Sequence, residues 1–97
     1  MPKMLLLVRR LIKPDGSVEP YPPKGKTYTL EELQKAVGGY IEILHPPDRA
    51  LLMVINEEGK LQGLPPNEAA TRLMGDRLLP GDYIVGNALV CWNKDID

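Results

Sequence analysis

The stretch Asn56–Gly75, "NEEGKLQGLPPNEAATRLMG", sets many hydrogen-bonding side chains on a stiff frame. Arg72 carries a planar guanidinium that can fork onto a phosphate or a carboxylate. Asn67 stands where a helix should begin, just after the rigid Pro65-Pro66 pair. As an N-cap it satisfies orphan amides and contributes about 1 kcal/mol. The same helix start presents N–H groups and a positive dipole end, which suits a phosphate. Thr71 and Arg72 fall on the outer side of that helix. Tyr40 follows the flexible Gly38-Gly39 pair; it can stack on a base or stand half-buried in a strand. Arg9 and Arg10 end an apolar run. On a strand they point to opposite faces, so at most one enters a given pocket, and a solvated strand end is the plainer reading. Asn56, Asn87 and Trp92 complete a set of polar or stacking groups near strand ends.

Catalysis lacks its parts. General acid–base work needs a positioned pair of groups with tuned pKa values. Glu57 and Glu58 are adjacent, but in an expected hairpin loop, where neighbouring carboxylates point to solvent. His45 precedes Pro46-Pro47 with no second His or Cys nearby. The single Cys91 excludes an internal disulfide, and one Cys with one His cannot assemble a zinc cluster within one chain. In "ALVCW" that cysteine reads as a small core hydrophobe. Ser17, the only serine, has no Gly-x-Ser-x-Gly elbow, and no Gly-x-x-x-x-Gly-Lys phosphate loop exists. The residues favour a binding module over an enzyme, with no catalytic residue, metal or cofactor expected.

The elements that must position these groups come next. At 97 residues the chain is expected to form one domain, residues 1–97, around a modest core. That core lacks Phe and must be built from Leu, Ile, Val, Met and Tyr, so a symmetric oligomer burying more surface is expected. The net charge is −1, but residues 1–30 carry +4 and residues 31–97 carry −5. A general nucleic-acid binder would be basic overall, so no nucleic-acid partner is expected. "MLLLV" is too short for a membrane span and is interrupted by Arg9 and Arg10, which predicts a cytosolic, soluble chain without a membrane partner.

Met4–Ile12 is short, apolar and closed by "KPDGS", and reads as a strand entering a turn. "VEPYPPKGK" (18–26) holds three prolines and reads as an extended edge or loop. Thr29 and Glu32 form a capping box, Leu30, Leu33 and Val37 recur at helical spacing, and Gly38-Gly39 ends that helix. "YIEILH" and "ALLMVIN" read as strands. "EEGK" between Asn56 and Leu61 reads as a hairpin loop with Gly59 at positive φ. A second helix runs from about Glu68 to Met74, with Ala69, Ala70, Leu73 and Met74 inward and Gly75 as its stop. "LLPGDYIVGNALVCW" supplies a turn and one or two closing strands, with a bend at Gly86. The sum is an α+β fold: a mainly antiparallel sheet of about five strands with two short helices.

The segments "YTLEELQKAVGGYIEIL", "NEEGKLQGLPPNEAAT" and "GDYIVGNALV" together resemble a family of small domains of formerly unknown function found mainly in bacteriophages and other mobile elements. The likeness runs from about Thr27 to Val90; the proline-rich segment before Thr27 has no match in it. The resemblance implies a phage or mobile-element origin and, by extension, action against host defence. One class of such proteins is the sponge, an oligomer enclosing a nucleotide-derived signal such as a cyclic ADP-ribose isomer or a cyclic dinucleotide. In that picture Arg72 and the helix start at Asn67 hold phosphate, and Tyr40 stacks on a base. Asn56, Thr71 and Asn87 read polar edges, with Arg9 available as a further cation. The alternative is an interaction protein that inhibits a host defence or restriction protein by direct contact through its acidic face. A signal-destroying phosphodiesterase would need Glu57, Glu58 and His45 to converge, which the chain order does not suggest.

Overall fold

Six consecutive buried residues, Leu51–Asn56, form the central strand β4, and four of the five residues of Ala88–Trp92 (β5) beside it are buried too. A strand buried on both faces needs apolar side chains at every position rather than at alternate ones. "LLMVIN" and "ALVCW" meet that demand. Around them the computed structural model, which describes residues 3–96, places β1 (Arg10–Ile12), β2 (Val18–Pro20) and β3 (Ile41–Leu44). The four strand pairs of the sheet are antiparallel and its order is β2-β1-β5-β4-β3. The expected α+β fold with a five-stranded antiparallel sheet and two short helices is the one observed.

Each face of the sheet is covered. Helix α1 (Leu30–Val37) lays Leu33, Ala36 and Val37 on Leu52, Val54, Leu89 and Cys91. Helix α2 (Glu68–Met74) lays Ala70 and Met74 on Leu51, Met53, Ile55, Ala88 and Val90 of the opposite face, with Ala69 and Leu73 partly buried beside them. Burying one Leu or Met side chain in such a layer contributes about 1.5–3 kcal/mol. The helix ends are sequence-encoded. Thr29 and Glu32 make the expected capping box, and Gly38 closes α1 at φ 80. Asn67 caps α2, and Gly75 ends it at φ 56.

Two local expectations are corrected. Met4–Ile12 is not one strand: Lys3–Leu7 is a 3-10 turn, and only Arg10–Ile12 joins the sheet. The chain breaks between them because Arg9 sits at φ 58, a left-handed conformation that stops a strand. An apolar run without clear alternation cannot by itself tell a strand from a buried turn. The segment after Asn56 is likewise not a hairpin. It winds through turns to an isolated bridge, Pro66 with Val85, and the positive φ belongs to Gly63 at 69 rather than to Gly59. Gly59 is needed for space instead: a Cβ there would lie 2.7 Å from a Val85 methyl. The expected bend at Gly86 is present, at φ 75. Among the described residues no helix is long and apolar enough to cross a membrane.

Candidate ligand groove

The proline-rich segment does more than fill an edge. Pro20 ends β2, and Tyr21 is then fixed at both ends. Its N–H donates to the Arg9 carbonyl at 2.8 Å, and its hydroxyl donates to the Glu32 carbonyl at 2.7 Å. Its ring stacks on Tyr28, with centroids 6.2 Å apart and planes 10° from parallel. Held against the start of α1 in this way, the chain forms with it an open groove of about 490 Å³. Tyr21, Pro22, Lys24, Thr27, Thr29 and Lys35 line it, together with Gly25, Glu31 and Glu32.

The charges in this groove are not equivalent. The Glu32 carboxylate accepts the Thr29 N–H at 2.8 Å and the Lys24 N–H at 3.0 Å. These amides, Thr29's first, hold its pKa below the ordinary carboxylate value. Its charge is thus spent on ordering the segment. Among the described residues neither Lys24 nor Lys35 makes an ion pair. Glu31 lines the groove too and, among the described residues, is likewise without an ion pair. The groove thus offers two ammonium groups and one carboxylate together with Tyr21 and Pro22, a lining that suits a ligand part ring and part anion. A second cleft of about 170 Å³ lies against β3, but Lys60 there is already bound to Asp82 and sits 4.7 Å over the Tyr83 ring.

The residues marked out from the sequence are not gathered into one pocket. Asn67 is fully buried: Nδ2 donates to the carbonyls of Ile12 (3.0 Å) and Gly86 (2.9 Å), and Oδ1 accepts the Ala70 N–H (3.1 Å). Thr71 is bound beside it, its hydroxyl donating to the Asn67 carbonyl and accepting the Ile84 N–H. Asn56 donates to the Val37 carbonyl and to Gln62 and accepts the Glu58 N–H. Asn87 donates to the Ala36 carbonyl. These four amide or hydroxyl groups tie the chain to itself. Arg9 holds the buried Asp95 with two bonds, 3.2 and 2.7 Å. Arg72 is exposed and pairs with Glu68 one turn away. Tyr40 is 65% exposed, in a shallow pocket with Gln34, Gly39, Glu58 and Gln62.

Glu57, Glu58 and His45 are exposed, and no cluster able to hold a metal occurs among the described residues. Cys91 is completely buried, and that burial pushes its thiol up to about 12. Sequence reasoning passed over Tyr21, Lys24 and Lys35. Their only signal in the sequence is a tyrosine set among prolines with a lysine three residues on; the contact with α1 is not announced there.

No curated protein and no solved structure matches the chain. A family model does match, over residues 8–97, and so spans the sheet, both helices and the groove. The chain belongs to the family described as "Domain of unknown function (DUF3846)".

Proposed function

We propose that this protein is a non-enzymatic binding protein that sequesters a nucleotide-type signal, acting as a homo-oligomer in the cytosol of a phage-infected bacterium. The observation that carries the reading is the groove beside α1. Its volume of about 490 Å³ falls in the range of small-ligand sites, about 300–1,000 Å³. In this reading Lys24 and Lys35 hold phosphate, Tyr21 and Pro22 cover the ring, and the Thr27 hydroxyl meets its polar edge. The ligand site moves from the start of α2 to the start of α1, because Asn67 and Thr71 have their hydrogen-bonding groups engaged inside the fold. Release of an intact ligand, rather than turnover, is what such a site performs. The phage-like motifs of the sequence supply the biological setting.

The direct test is calorimetry with purified cyclic dinucleotides and cyclic ADP-ribose isomers on the wild type and on Lys24→Ala/Lys35→Ala. Saturable binding lost in the double variant, at unchanged melting temperature, supports the reading. Binding that survives both substitutions removes the groove from it. The direct-contact reading also has an observation in its favour: Leu61 and Leu79 are 87% and 77% exposed and lie in the acidic portion of the chain. It predicts capture of a folded host protein with no small-molecule binding.

A further inference from the structure

The two edges of the sheet are finished differently. At β2 the chain places Pro20, then Pro22 and Pro23, which lack the N–H a new strand would need. At β3, "IEIL", no proline interrupts the strand, and Ile41, Ile43 and Leu44 are only half-buried. The hydrogen-bonding phase of β3 follows from its partner. Glu57 N–H donates to the Tyr40 carbonyl at 2.9 Å, and Ile41 stands opposite Asn56. Glu42 and Leu44 therefore turn their backbone groups toward β4, while Ile41 and Ile43 turn theirs outward. No turn, loop or cap bond among the described residues reaches those outward groups.

We propose that β3 pairs with β3 of a second copy of this chain, antiparallel about a two-fold axis at Ile43. The occupant is chosen by self-complementarity and charge. With Ile43 against the partner's Ile43, the outward amides of both strands meet, and Glu42 faces the partner's Leu44. Ile41 then meets the partner's His45, and Tyr40 lies across from the partner's Pro46. One neighbouring register that also satisfies the amides puts Glu42 directly against the partner's Glu42, at the closer strand spacing of about 4.5 Å. Like charges opposed in that way are destabilising, so charge disfavours that register against the Ile43 one. An axis normal to the sheet keeps both copies of α1 on one side and both copies of α2 on the other.

This inference rests on the homo-oligomer part of the proposed function and supplies its surface. It does not depend on the ligand, because the groove lies toward the β2 end of the sheet. The test is light-scattering mass after size exclusion, with Ile43→Pro and two cysteine variants. Wild type should weigh twice the 10.8 kDa chain. Ile43→Pro removes an outward N–H without touching the β3–β4 bonds, so it should halve the mass while keeping the circular dichroism of the fold. Ile43→Cys, whose Cα atoms would lie about 5.5 Å apart across the axis, should form a disulfide-linked dimer on mild oxidation. Glu42→Cys should cross-link far less. A monomeric wild type, a dimer that survives Ile43→Pro, or equal cross-linking of the two cysteine variants overturns the proposal. A monomeric variant that still binds ligand would separate this interface from the groove.

Discussion

Asn67→Ala is the substitution whose cost the structure fixes most closely. The Asn67 amide joins three parts of the fold: it caps α2 through Ala70, and it donates to Ile12 of β1 and to Gly86 just before β5. Loss of the cap costs about 1 kcal/mol. Each of the two carbonyls left without its donor costs about 1–3 kcal/mol, less where water can enter. The expected sum is about 3–7 kcal/mol, toward the lower end where water enters, out of a typical total of 5–15 kcal/mol. Urea denaturation should show the midpoint falling at constant slope, and the melting temperature should drop by more than roughly 10 °C. Asn67→Asp sharpens the test. It keeps the acceptor for Ala70 but sets a carboxylate oxygen against two carbonyls in a dry site, so its folded-state pKa must rise. Its deficit should grow as pH rises from the unfolded value of about 3.9 toward that raised pKa, whereas the deficit of Asn67→Ala should not follow pH. A cost under about 1 kcal/mol for Asn67→Ala, with a flat pH profile for Asn67→Asp, would mean that Asn67 is only a helix cap.

Further predictions rest on single contacts. Burial pushes the Asp95 pKa up, but the Arg9 side chain and the Trp92 N–H outweigh it and leave it below the ordinary value. The stability it contributes is present above the unfolded carboxylate pKa and is lost as pH falls through the lower folded one. The stability gap between wild type and Arg9→Met should therefore close in acid, as followed by circular dichroism. Gly86→Ala forces a side chain onto φ 75 and sets its Cβ 2.8 Å from a Leu64 methyl. It should cost about 1–2 kcal/mol from the backbone alone by thermal melting. Cys91, buried and with its pKa raised, should react with thiol reagents only at the rate of global unfolding.

The legible parts of this fold are those whose signals are local. The capping box at Thr29 and Glu32, the Asn67 cap and the unbroken apolar run of β4 each declare their element within a few residues. Met4–Ile12 misleads because the break at Arg9 is held by distant groups: the Val90 carbonyl accepts its N–H, and Asp95 binds its guanidinium. The polar residues singled out in the sequence depend on distant partners in the same way. Asn56, Asn87, Thr71 and Asn67 look like ligand readers in sequence, but their partners (the carbonyls of Val37, Ala36, Ile12 and Gly86, and the Ile84 N–H) lie far along the chain or across the sheet. A polar side chain next to a strand or helix end looks the same whether it faces a ligand or an orphan carbonyl. The groove went unseen because it depends on Tyr21 being held against α1, a contact between segments that neither sequence pattern announces.

The most direct test of the sequestration reading is recovery of the ligand. Purified protein is incubated with nucleotide extract from infected, defence-active bacteria, washed, denatured by heat, and the released material identified by mass spectrometry. The account predicts an intact nucleotide from wild type and none from Lys24→Ala/Lys35→Ala. No release from wild type, with the extract unchanged, would contradict it and leave a protein partner as the reading to pursue.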